Sequence, residues 1–201
     1  MESVLEKVKA VVREEMEKND CSHDWQHIQR VTKLALHLAS SVKGVDVFVV
    51  ELGALLHDLN DHKYAARFDI SSLLLGLNVS QEVVRQVVHI TENVSYSKQM
   101  AKISAGEKEV LTEELKCVRD ADRLDALGAV GIARCCAFTA IKHQRLYNVN
   151  DFEGDGKTVV GHFYEKLFNL PDLMCTDLGR QMAQERIKIM RDFVDQLRRE
   201  I

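Results

Sequence analysis

The sequence predicts an all-α protein, and three observations carry that expectation. Proline occurs once in 201 residues, at Pro171, and glycine ten times, so helix breakers are scarce. No segment alternates apolar and polar residues over a bounded run, as a half-buried strand does. Apolar residues recur instead at helical spacing along most of the chain.

The first element is MESVLEKVKAVVREEMEK, where Val4, Val8, Val11 and Val12 share one stripe. Its charges are dispersed, and it lacks the continuous apolar stretch of a signal peptide. A second stripe joins Ile28, Val31, Leu34, Ala35, Leu38 and Val42. The next segment, VDVFVVELGALL, is apolar nearly all round and reads as a buried helix, with Asp46 placed to cap it. Val83, Val84, Val87 and Val88 mark another helix, led by Ser80. Ser104-Ala-Gly-Glu107 has capping-box spacing and reads as a further helix start. From Thr176 to Ile201, the residues Leu178, Met182, Ile187, Met190, Val194 and Leu197 keep broadly to one face. Breaks are expected near Asn19–His23, Gly44, His62–Ala65, Gly76–Ser80, Ser95–Ser104 and Asn148–Gly156. Typical helix lengths then give roughly eight to ten helices. No repeat, low-complexity tract or linker interrupts residues 1–201, so one domain is the expected organisation.

Apolar residues at 46% and charged residues at 29% match an ordinary globule, with a core feasible at this length. Aromatics at 6% make that core mostly aliphatic. A net charge of −4 and a pI near 6.1 argue against a chain built to hold duplex nucleic acid by its phosphates. A small phosphorylated ligand in a locally positive pocket remains compatible with them. The most apolar stretches, 45–59 and 127–141, are interrupted by Asp46, Glu51 and Asp58 and by Arg134, so neither reads as a membrane span. The cysteines, Cys21, Cys117, Cys135, Cys136 and Cys175, are odd in number and form no C-x-x-C pair. They read as reduced thiols, with Cys135 and Cys136 as packing, and the expected compartment is cytoplasmic.

The chemistry centres on His57 and Asp58, which follow the buried apolar helix. A His-Asp pair at the inner end of such a helix needs partners, because a buried unpaired carboxylate costs several kcal/mol or neutralises itself. A cap or salt bridge would serve, and so would a divalent cation, for which imidazole and carboxylate are natural ligands. His27 lies on the inward stripe with Val31, Leu34 and Leu38. RDADRLDALGAVGIA places Asp120, Asp122 and Asp125 at the head of an apolar stretch, with Asp122 on the face of Ala126 and Ala129. Convergence of His27, His57, Asp58 and Asp122 would form a four-ligand site with positions left open.

His27 within HDWQHIQRV, His57-Asp58 within LLHDLND and Asp122 within RDADRLDALG resemble the H…HD…D signature of HD-domain phosphohydrolases. GHFYEKLFNL and the Thr-Asp-Leu-Gly-Arg…Ala-x-x-Arg segment are similar to the C-terminal half of the small bacterial-type members. The resemblance runs from about Ser22 to Phe193. It implies an HD-type helical bundle, with a metal core over about 22–126 and additional C-terminal helices over about 127–201. It also implies one divalent metal (Mn, Fe, Co, Ni, Zn or Mg) and hydrolysis of a phosphate ester or anhydride, commonly in a nucleotide. Such an ion lowers the pKa of bound water, makes hydroxide available and polarises the phosphoryl oxygen.

Further residues take expected roles around that set. Asp61 lies four positions after His57, where related alarmone-hydrolase HD domains carry a catalytic Glu, and could orient or deprotonate the water; a solvated carboxylate is the alternative. His62 departs from that subgroup and weighs against an alarmone. Arg30, Lys63 and Arg123 adjoin the ligand segments and are candidate phosphate clamps, although Arg30 could pair with Asp120 or Asp125 instead. His89 could face the cleft or be a surface histidine, and Lys98 could reach a phosphate. His23 and Asp24 stand at the mouth of the His27 helix, with Asp24 placed as a cap. A nucleotide-binding module without turnover is the alternative function. A cyclic-dinucleotide phosphodiesterase is poorly supported, since no Gly-Tyr-Pro follows the HD pair.

Overall fold

The computed structural model describes residues 3–59 and 68–201. Among the described residues 70% are helical, in ten α-helices and one 3-10 helix, and there is no strand. In chain order they are α1 (Val4–Met16), α2 (Trp25–Ala39), α3 (Val47–Leu56), α4 (Ile70–Gly76), α5 (Gln81–Asn93), α6 (Tyr96–Ala105), α7 (Glu113–Asp125), α8 (Gly128–Ile141), α9 (Val159–Glu165), the 3-10 helix Leu167–Leu173 and α10 (Asp177–Glu200). The chain divides into two compact units, Met1–Asp122 and Arg123–Ile201.

The first unit is organised around α3, which buries Val49, Val50, Leu52, Gly53, Ala54, Leu55 and Leu56 against α1, α2 and α5. Gly53 permits the approach of α5, because a Cβ there would stand 2.9 Å from the Ile90 side chain. Side-chain caps fix the starts: Asp24 accepts from the His27 amide, Asp46 from Phe48 and Val49, and Ser80 from Val83. Helix α2 turns His27, Ile28, Val31, Thr32, Ala35 and Leu38 inward, so a histidine shares the core stripe.

Three expectations about boundaries are corrected. The break expected at Ser95–Ser104 is helix α6, which buries none of its residues and carries only a short apolar repeat, Tyr96, Met100 and Ile103. Ser104–Glu107 ends that helix instead of starting one, with Gly106 in the left-handed region at φ 68°. Asp122 does not share a helix face with Ala129. Helix α7 stops at Asp125, and Gly128, at φ 72°, opens α8. Asp120, Asp122 and Asp125 therefore occupy the last turns of one helix.

Polar tethers replace apolar packing around α6. The Lys102 ammonium donates to Asn93 Oδ1. Arg119 is fully buried and donates to both carboxylate oxygens of Glu109, at 2.7 and 2.6 Å, and to the Asn93 carbonyl at 2.5 Å. Removing one partner of such a pair strands a buried charge. Glu109→Gln is expected to destabilise the fold by about 3 kcal/mol, read as a lowered denaturation midpoint.

In the second unit α10 lays Gly179, Ala183, Ile187, Met190 and Val194 along a buried seam, packing on α8 and the 3-10 helix. Phe163 is buried beside Phe168 and Phe193, with ring centroids 6.0 and 6.3 Å away. Asn148–Gly156 is a loop, and Arg198 of α10 covers its Phe152 and bonds its Glu153. No single described helix is long and apolar enough to cross a membrane. None of the five cysteines is in a disulfide. Burial pushes the Cys117 thiol up to about 12 and the Cys135 thiol to about 11, which makes both inert packing groups.

Candidate metal centre

Four side chains of the first unit converge at the inner ends of three helices. His27 is supplied by the first turn of α2, His57 caps the C-terminus of α3, Asp58 follows it, and Asp122 lies three residues before the end of α7. His27 Nε2 lies 3.2 Å from Asp58 Oδ2 and 3.6 Å from Asp122 Oδ1. His57 Nε2 lies 3.3 Å from Asp58 Oδ1 and 3.7 Å from Asp122 Oδ1. The imidazole rings meet edge to face, with centroids 5.3 Å apart. Both histidine side chains are fully buried, whereas Asp58 is 13% and Asp122 31% exposed. The cluster is thus closed on the histidine side and open on the carboxylate side.

A cation fits this donor set. His57 Nδ1 lies 2.8 Å from the Ala54 carbonyl, an acceptor only, so Nδ1 carries the proton and the neutral ring keeps its lone pair on Nε2. Among the described residues, His57 Nε2 and Asp58 Oδ2 are buried without a hydrogen bond. Lone pairs brought face to face in this way repel unless a proton or a cation lies among them. Ligand atoms about 2.0–2.2 Å from a shared ion stand about 3–3.5 Å apart, close to the spacings found here. Atoms of His27, His57 and Asp122 alone form a group within 4.8 Å that could hold a metal.

Electrostatics agree with a site that holds positive charge. Burial alone would lower the His57 pKa, but the Asp58 and Asp122 carboxylates outweigh it and raise the group to about 9. Burial would likewise raise Asp58 and Asp122, yet the facing imidazoles hold both below the usual carboxylate range. Without metal, His57 therefore stabilises the fold through its proton. That contribution is complete below its unfolded value of 6.5 and is lost as pH rises to about 9. The metal-free protein is expected to lose melting temperature across this window. Divalent metal, which displaces the same proton, should bind more tightly as pH rises. Thermal melts at stepped pH, with and without metal, check both slopes.

The remaining candidates are placed as follows. Asp61 and Lys63 lie outside the described residues. Arg30 sits on α2 three residues after His27 and is half-buried. Arg123 is buried and donates to the Leu173 carbonyl at 2.7 Å. His89 Nε2 donates to the Val110 carbonyl at 2.9 Å, and its Nδ1 lies 3.3 Å from the Asn93 amide nitrogen. Lys98 donates to the Glu92 carbonyl at 3.1 Å. Asp125 pairs with Arg134 at 3.0 Å. The Ala54 carbonyl, which sets the His57 tautomer, escaped the sequence reading because a backbone acceptor carries no residue-type signal.

A family model described as HD domain matches residues 24–127. YpgQ of Bacillus subtilis is 38% identical over 201 residues, which cover 98% of this chain and 93% of that protein. The crystal structure of YpgQ in complex with ADP superposes with a TM-score of 0.80 at 34% identity, covering 98% of this chain and 95% of that one. A crystal structure of an HD-superfamily hydrolase from Bacillus thuringiensis gives a TM-score of 0.76 at 36% identity, covering 98% and 95%. A crystal structure of a Lactobacillus plantarum protein gives a TM-score of 0.82 at 31% identity, covering 100% of this chain and 97% of that one.

Proposed function

This chain belongs to the HD-domain family, and we infer that it is a metal-dependent phosphohydrolase acting on a nucleotide. One observation carries the reading: two buried imidazole nitrogens and two carboxylates converge within 3.2–3.7 Å, with the carboxylate side open to solvent. His27, His57, Asp58 and Asp122 would hold the ion. When bound, a divalent ion acidifies water and neutralises charge developing on a phosphoryl oxygen.

The chain's own residues supply the rest. The Ala54 carbonyl holds the His57 ring in the tautomer that presents Nε2 to the site. The burial of both histidines excludes bulk water from the imidazole side. Asp61, four residues beyond His57, is the proposed acceptor that orients or deprotonates the attacking water. Arg30 and Lys63 are the proposed charge clamps for the phosphates, since phosphoryl transfer needs positioning and charge neutralisation more than covalent chemistry. The nucleotide substrate is supported by the ADP complex of YpgQ, a relative that matches nearly the whole chain.

The test is a screen of nucleoside mono-, di- and triphosphates against Mn, Co, Ni, Zn and Mg, with phosphate and pyrophosphate release measured separately. Turnover of at least one nucleotide is expected, and only with added metal. Tight nucleotide binding without release of either product would favour a binding module and overturn hydrolysis.

A further inference from the structure

His89 takes no part in the metal cluster, yet its neighbours fix where its proton sits. It lies half-buried on α5, with Nε2 2.9 Å from the Val110 carbonyl and Nδ1 3.3 Å from Asn93 Nδ2. A carbonyl only accepts, so the neutral ring carries its hydrogen on Nε2 and its lone pair on Nδ1. Asn93 is buried and engaged on both ends of its amide. Its Nδ2 donates to the His89 carbonyl at 2.7 Å and has its second hydrogen for Nδ1. Its Oδ1 accepts from the Lys102 ammonium. Reversing the amide would set Nδ2 against that ammonium and Oδ1 against the carbonyl.

Asn93 thereby joins three helices. Its side chain holds Lys102, in the last turn of α6, and its carbonyl accepts from the buried Arg119 of α7 at 2.5 Å. Residues 100–105 of α6 bury nothing, so the Lys102 side chain ties that half of the helix to the unit. Its other carboxylate neighbour, Glu109 at 3.8 Å, gives both oxygens to Arg119.

A proton on Nδ1 removes the acceptor on which this arrangement turns. Two N–H groups then face each other, and the ring charge joins that of Lys102 around one buried amide, where water replaces lost bonds poorly. Turning the amide satisfies the ring and loses Lys102. The Nε2 bond to Val110 becomes charge-assisted, and Arg119 keeps its partners, so the Val110 segment and α7 stay in place. The charged groups around the ring are Glu82, Arg85 and Glu92 of α5, Lys98 and Lys102 of α6, Glu109, and Arg119 of α7. Helix α4 carries none beyond its cap, Asp69. Helix α3 offers Glu51, paired with Lys9 at 3.2 Å, and His57, turned into the metal cluster.

We propose that His89 is an acid-released latch on α6: neutral, it orients the Asn93 amide to hold Lys102, and protonated, it frees residues 100–105. This device does not rest on the hydrolysis reading.

Backbone hydrogen exchange across 100–105, corrected for intrinsic rates, tests it on the full chain supplied with divalent metal. From about pH 8 to about pH 5, where an imidazole ordinarily takes up its proton, protection is expected to fall about tenfold further in the parent than in His89→Gln. Protection around Val110 should fall no further in the parent than in that variant. Lys102→Met removes the tether itself, so its protection should be low at both pH values. An equal fall in parent and His89→Gln, or parental protection in Lys102→Met at about pH 8, overturns the latch. Long-range 1H–15N spectra of the parent at about pH 8 need no substitution: an Nε2-protonated His89 is expected, and an Nδ1-protonated one overturns the proposal.

Discussion

Asp58→Ala is expected to abolish metal binding and to lower nucleotide hydrolysis by about 10³-fold, because a metal's several kcal/mol of transition-state stabilisation is lost at about 1.4 kcal/mol per tenfold. Asp58 approaches both histidines through different oxygens, at 3.2 and 3.3 Å, nearer than Asp122 at 3.6 and 3.7 Å. Its removal leaves His27, His57 and Asp122, a set that still encloses a volume for an ion but carries one negative charge in place of two. In the parent, saturating metal should raise the melting temperature, since an ion at about 1,000 times its Kd adds about 4 kcal/mol to the folded state. In Asp58→Ala that rise should vanish. In the metal-free protein the same change removes the largest charge supporting the His57 proton, so the alkaline loss of stability should shift to lower pH. Metal analysis and melts of the one variant read both effects. Parental metal content would remove Asp58 from the ligand set.

Asp61→Asn should separate water activation from metal binding. The amide keeps the shape and hydrogen-bonding reach of the carboxylate but lacks its basic oxygen. Metal content is expected to stay parental while kcat falls by about 10²–10⁴, the usual contribution of a general base. KM should change little, because the loss falls on the transition state and not on ground-state binding. A solvated carboxylate predicts unchanged turnover, and a ligand predicts joint loss of metal and rate. Steady-state kinetics with metal analysis therefore distinguish three roles.

The sequence made some of this legible and concealed the rest for physical reasons. His27 shares a stripe with Val31 and Leu38, and His57-Asp58 ends a helix that is apolar all round. Polar side chains in such places need an explanation, and the signature residues gave them a common one. Asp122 was found through its motif, yet its surroundings were misread. The run from Leu124 into α8 is apolar on both sides of a break made by Gly128 in the left-handed region. Helix α6 went unread because its apolar repeat, Tyr96, Met100 and Ile103, is short and set among polar residues, and none of the helix is buried. The bond from Arg123 to the Leu173 carbonyl spans 50 residues, and such a pairing leaves no mark on local pattern. The tautomer of His57 depends on the Ala54 carbonyl, a backbone oxygen that carries no residue-type signal.

The central claim is that His27, His57, Asp58 and Asp122 hold an ion without which the chain hydrolyses nothing. The direct measurement is nucleotide hydrolysis by protein stripped of metal with chelator, verified by elemental analysis, and then titrated with a divalent ion. No turnover in the stripped protein is expected, with recovery that saturates near one ion per chain. Full activity of the thoroughly stripped protein would contradict it.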